Sequence, residues 1–148
     1  MSRLIAGGGG IGFAPAAPGT VASLAAVLLG AAMLWVSPWV VVMAAILTIV
    51  GGFLTLHQAQ VEGDPGWVVI DEFAGQWLAL AGLPDPSPLG LLAGFILFRV
   101  LDITKPGPVG WADRQHGVFG IMMDDVVAGA LAAALLWLAR LVWLTVGS

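Results

Sequence analysis

Cysteine is absent from this 148-residue chain. That excludes a disulfide framework, a thiolate nucleophile and any Cys-ligated metal. Charge is nearly as scarce: Asp, Glu, Lys and Arg make up 9% of the residues, against roughly 25% in an average soluble domain. With 59% hydrophobic residues and a mean hydropathy of +1.00, a soluble domain of this size would lack the polar side chains to cover its surface. No long basic run exists and the net charge is -4, so nucleic-acid binding has no electrostatic footprint. The opening MSRLIAGGGGIGFAPAAPGT holds only a short apolar patch before four glycines. A signal peptide needs an apolar stretch of about 7–15 residues, so none is expected.

What remains is a small polytopic membrane protein, all-α, organised as a single membrane-embedded domain over residues 1–148. About five helices are expected to span or enter the bilayer: Thr20–Val36, Trp39–Leu56, Trp67–Leu83, Leu89–Thr104 and Asp124–Thr145. Several fall short of the usual ~20 residues, which leaves room for partial crossings. Ser37-Pro38 and the LPDPSP stretch (83–88) separate consecutive segments. Small residues at four-residue spacing, Gly75/Ala79, Gly90/Gly94 and Gly129/Ala133, suit close helix packing in lipid. Five crossings put Arg3, Lys105 and Arg114 on one side, with Arg99 near them, so the N-terminus is expected in the cytoplasm and the C-terminus outside.

The few charges are not scattered. Every acid lies between Glu62 and Asp125. Asp71 and Glu72 fall at the start of the third segment, Asp102 near the end of the fourth, and Asp124 and Asp125 open the fifth. All five therefore converge on the cytoplasmic ends of three helices, where Arg99 and Lys105 join them. A charge at membrane depth costs roughly 2.5–3.5 kcal/mol even on the lenient insertion scale, so such groups usually mark function. The carboxylates suit a hard, oxygen-seeking ion such as Mg²⁺, and Arg99 and Lys105 remain for a phosphate-bearing substrate. Blander accounts exist residue by residue. Acids at helix N-termini gain about 0.3–1 kcal/mol from the macrodipole, and Arg99–Asp102 can be a simple intrahelical ion pair. Both acid doublets and the Arg/Asp/Lys row on one side are harder to explain that way.

Other candidates are weaker. GGGGIG matches G-x-G-x-x-G, but no strand precedes it and no βαβ unit follows, so a dinucleotide site is not expected. PGTVAS (18–23) reads as a helix start, with Thr20 and Ser23 either as plain caps or as part of an anion-binding N-terminus. His57 reads as interfacial. His116, just before the acid doublet, is either a solvated loop residue or a proton donor to a leaving alkoxide.

Four stretches in order, PGTVAS (18–23), IDEFAGQ (70–76), FRVLDITKPGP (98–108) and HGVFGIMMDDVVAG (116–129), resemble the phosphatidylglycerophosphatase A family. Ala22, where the family usually has Gly, and Gly107, where a bulkier residue is common, are mild departures. The resemblance implies a Mg²⁺-dependent lipid phosphatase of the bacterial cytoplasmic membrane. Its reaction would convert phosphatidylglycerophosphate to phosphatidylglycerol and inorganic phosphate, on the route to cardiolipin. On that basis Asp71, Glu72, Asp124 and Asp125 would hold one or two Mg²⁺ ions. Arg99 and Lys105 would bind phosphate with Thr20 and Ser23, and Asp71, Glu72, Asp102, Asp125 and His116 would serve the chemistry. The D-x-D and P-S-G-H patterns of other phosphatases and the D-G-x-x-A-R pattern of lipid phosphotransferases are absent. An ion-coupled transporter is the competing class. It would place its carboxylates near the bilayer midplane in repeated halves, and no repeat is visible.

Overall fold

The computed structural model describes residues 1–146, and no strand occurs among them. Seven α-helices follow one another: α1 Ser2–Ala6, α2 Pro18–Val36, α3 Pro38–Gln58, α4 Ile70–Leu80, α5 Pro88–Thr104, α6 Pro108–Asp113 and α7 Gly117–Val146. Proline opens α2, α3, α5 and α6, where its fixed φ suits the first turn and its missing N–H costs nothing. Ser37 alone separates α2 from α3, and its side chain accepts from the Trp39 N–H. Ser87 caps α5 through the Gly90 N–H.

The all-helical membrane architecture agrees with the composition, and the differences lie in lengths. α2, α3 and α7 are long and apolar enough to cross a membrane. Their outward side chains, among them Leu28, Trp35, Leu47, Trp137 and Val142, are large, apolar and exposed, as a lipid-facing surface requires. α4 is different. Its 11 residues make a helix about 16 Å long, roughly half the hydrocarbon thickness. Most of it is buried by α2, α3, α5 and α7, so it is the central post of the bundle and not a lipid-exposed span.

α7 begins at Gly117, not at Asp124, because the apolar run VFGIMM continues the helix and packs Ile121 and Met122 against Leu56 and Ile70. Asp124 and Asp125 consequently sit two turns inside the helix. The segment expected as loop between Lys105 and Gly117 also contains α6. The glycine run forms a 3₁₀ stretch, Gly8–Phe13, in which Gly8, Gly9 and Gly10 all take positive φ. It lies under the start of α4, where the Val69 N–H donates to the Ala6 carbonyl at 3.0 Å and Phe13 stacks on Trp67.

The closest helix approach is between α4 and α7. A Cβ added at Gly129 would lie 2.2 Å from the Gly75 carbonyl oxygen, and one at Gly75 would lie 2.5 Å from the Asp125 carbonyl oxygen. Only backbone fits there. Gly129→Val should lower the thermal unfolding temperature in detergent, by an amount equivalent to roughly 1–3 kcal/mol of overpacking. Gly51→Ala, at a helical glycine with open space around it, should leave that temperature unchanged or raise it slightly.

Candidate active site

Helices α2, α4 and α7 begin, and α5 ends, at the same end of the bundle. Between them lies a cavity of about 270 Å³, lined by Ala17–Thr20, Asp64, Asp71, Glu72, Arg99, Asp102, Lys105, Asp124 and Asp125. Residues separated by more than a hundred positions thus share one chamber. Asp71 and Glu72 occupy the first turn of α4, and Asp71 Oδ1 accepts the Glu72 N–H at 3.0 Å. For these two the macrodipole contributes. It does not for Asp124 and Asp125, since the effect fades within the first turn and they lie two turns further in.

Two groups of carboxylates have the spacing of an ion cage. Asp71, Glu72 and Asp125 offer oxygens within 4.8 Å of one another, and so do Asp102, Asp124 and Asp125. Asp125 belongs to both. It is only 4% exposed, and among the described residues its carboxylate has no hydrogen-bond or ion-pair partner, although burying a bare carboxylate is costly. A hard divalent cation with oxygen ligands at about 2.0–2.1 Å, such as Mg²⁺, fits this all-oxygen donor set.

Two cations are already engaged with the acids. Arg99 Nη1 donates to Asp102 Oδ2 at 2.5 Å, and Arg99 Nη2 reaches Thr20 Oγ1 at 3.4 Å. Lys105 Nζ donates to Asp124 Oδ2 at 2.9 Å and also to Asp113. Partial burial pulls the Lys105 pKa down, but these two hydrogen bonds outweigh it and hold the ammonium above its ordinary value. Lys105 therefore stays charged at any physiological pH.

Thr20 lines the cavity but Ser23 does not. Ser23 is fully buried and its hydroxyl donates to the Gly19 carbonyl at 2.9 Å, one turn back in α2, so it is not available to a phosphate. His116 is exposed and lines an adjoining cavity of about 180 Å³, which shares Asp64 and Asp124 with the first. His57 lies away from both.

The family profile of phosphatidylglycerophosphatase A matches residues 4–140. The Escherichia coli (strain K12) phosphatidylglycerophosphatase A is 42% identical over 142 residues, covering 91% of this chain and 81% of that protein. The chain belongs to the phosphatidylglycerophosphatase A family. It is therefore an enzyme of the phosphatase type, and the transport reading is set aside. The Haemophilus influenzae phosphatidylglycerophosphatase A is 38% identical, over 88% of this chain and 83% of that protein. A Bacteroides thetaiotaomicron protein, provisionally named a phosphatidylinositol-3-phosphatase, is 36% identical over 93% of this chain and 92% of that protein. No solved structure matches the chain.

Three residues in or beside the cavity escaped the sequence reading. Asp64 sits in a Gly-Asp-Pro turn that looks like any solvated loop. Asp113 meets Lys105 only because α6 folds the intervening stretch back. Gly19 matters by absence: a Cβ there would lie 2.1 Å from Glu72 Oε1. Gly19→Ala should push the Glu72 carboxylate aside and lower phosphatase turnover by about 10²-fold, the scale of a 1 Å misplacement, with the protein still folded by thermal unfolding.

Proposed function

We propose that this chain hydrolyses the terminal phosphate monoester of phosphatidylglycerophosphate, giving phosphatidylglycerol and inorganic phosphate, with Mg²⁺ as cofactor. The observation that carries the reading is the single cavity in which two carboxylate cages adjoin Arg99 and Lys105. The names of the Escherichia coli and Haemophilus influenzae relatives favour this lipid. The protein would work as one membrane-embedded unit in a bacterial cytoplasmic membrane, cavity toward the cytoplasm, supplying phosphatidylglycerol for cardiolipin.

Phosphate monoester hydrolysis is among the slowest uncatalysed reactions, so charge stabilisation and positioning must supply most of the acceleration. The acyl chains remain in the bilayer beside the apolar flanks of α2 and α5, and only the head group enters the cavity. Its phosphoryl oxygens meet Arg99 and Lys105, both of which would turn from Asp102 and Asp124 toward the substrate. Thr20 and the free N–H groups of Gly19 and Thr20, at the uncapped start of α2, face the same oxygens. Asp71, Glu72, Asp124 and Asp125 would hold one or two Mg²⁺. Bound there, Mg²⁺ supplies Lewis-acid neutralisation of the phosphoryl charge. Asp102 orients the attacking water and takes its proton as the new P–O bond forms. The P–O bond to glycerol breaks, and His116, from the adjoining cavity, returns a proton to the departing alkoxide.

Purified protein in detergent, given phosphatidylglycerophosphate with Mg²⁺, should release phosphate, and EDTA should stop the release. Release that persists in EDTA would sink the proposal. Phosphatidylinositol 3-phosphate in the same assay separates a narrow from a broad head-group preference. Arg99→Ala should cost roughly 10²-fold in kcat, the usual loss on removing one preorganised donor. Asp125→Asn should abolish turnover while the protein still inserts in the membrane, and retained activity would remove Asp125 from the site.

A further inference from the structure

Where α2, α4 and α5 meet, the fully buried Gln76 and the half-buried Glu72 and Arg99 carry buried polar atoms without partners among the described residues: both amide atoms of Gln76, Oε2 of Glu72 and Nε of Arg99. Each unsatisfied buried group costs roughly 1–3 kcal/mol, so such a concentration is unlike an ordinary core. The atoms are complementary, two donors and two acceptors. Gln76 is fully buried and follows Glu72 by four residues, one turn along the same face of α4. Helical side chains lean toward the N-terminus, which points the Gln76 carboxamide along α4 toward the Glu72 carboxylate, although no hydrogen bond joins them in this structure.

The partner helix continues the layer. α2 and α4 run parallel: Gly19 abuts Glu72, Trp77 Nε1 donates to the Ala26 carbonyl at 2.8 Å, and Gly30 abuts Leu80. In that register the buried Ser23 hydroxyl is level with the turn that carries Gln76. Around this small polar layer α4 is otherwise apolar, with Phe73, Ala74, Ala79 and Leu80 in the core. Leucine would fill the Gln76 position at lower cost, so packing does not account for the amide.

Glu72 needs a restraint. The same point beside Gly19 that lies 2.1 Å from Glu72 Oε1 is 3.6 Å from Arg99 Nη1, so the carboxylate has a guanidinium at hand as an alternative partner. We propose that Gln76 is a positioning residue whose unpartnered carboxamide donates to Glu72 when the Asp71–Glu72–Asp125 group takes a divalent cation, and thereby sets that group's affinity for it. The inference rests on the reading that this group binds such a cation. Removal of an outer-shell partner of a metal ligand typically weakens binding by about 10–100-fold.

The test is Mn²⁺ binding, followed by the paramagnetic signal of the free ion, on the full-length protein in detergent, together with thermal unfolding in EDTA. Wild type should bind and Asp125→Asn should not. Gln76→Leu should bind about 10–100-fold more weakly, with an unfolding temperature in EDTA equal to or above wild type. Gln76→Met, unbranched and of similar volume, should behave as the leucine variant does. Wild-type Mn²⁺ affinity in a folded Gln76→Leu or Gln76→Met overturns the role assigned to Gln76 and leaves the metal reading intact. Failure of both variants to fold overturns it too, by making Gln76 structural. If wild type binds no Mn²⁺, or Asp125→Asn binds as well as wild type, the metal reading falls and the inference with it.

Discussion

Everything at the cavity depends on how closely the backbones of α4 and α7 approach at Gly75 and Gly129. The doublet Asp71–Glu72 is on one helix and Asp124–Asp125 on the other. With any side chain at the crossing, the helices would stand apart and Asp125 could not bring an oxygen within 4.8 Å of those of Asp71 and Glu72. In lipid the approach has no hydrophobic driving force behind it, because acyl chains are as apolar as leucine. Close van der Waals contact between bare backbones supplies the attraction instead, and glycine is what permits it. A contact that looks like generic membrane packing is therefore what assembles the acidic chamber.

Around that contact the other elements have distinct tasks. α4 is too short to span a bilayer and is surrounded by its neighbours, which allows it to carry two carboxylates and an unpartnered amide without exposing them to lipid. α5 brings Arg99 and Asp102 on one helical face and then stops at Lys105, whose left-handed backbone turns the chain into α6. α6 returns Asp113 to Lys105, and α7 brings Asp124 to the same ammonium. The lysine thus ties together three consecutive elements at the mouth of the cavity. α2 contributes its uncapped first turn and, at Gly19, the space that Glu72 fills.

Much of this was legible beforehand because membrane proteins are frugal with charge. Scarcity made the IDEF, FRVLDITK and MMDD stretches conspicuous, and alternation of crossings put them at one end. What stayed illegible has physical causes. Hydropathy cannot tell a lipid-facing helix from one buried by its neighbours, so α4 read as a span from Trp67 to Leu83 when only 11 residues are helical. The helix start at Gly117 was hidden because the eye places a boundary at the acid doublet. The true boundary is a glycine at φ 67°, followed by apolar residues that pack on α3 and α4. Ser23 was grouped with Thr20 by its chemistry, but at a helical position its hydroxyl is satisfied by the carbonyl one turn behind. Asp64 reaches the cavity, and Asp113 reaches Lys105 at its edge, through loop and short-helix geometry that no periodicity encodes.

Six carboxylates line the chamber against two cationic side chains. A head group bearing a phosphate arrives with the same sign as that surplus, and low-dielectric walls concentrate the repulsion. Left to its own side chains, the chamber would turn away the kind of molecule it is proposed to process. A cation held among these acids would offset that surplus and leave Arg99 and Lys105 to meet the phosphate.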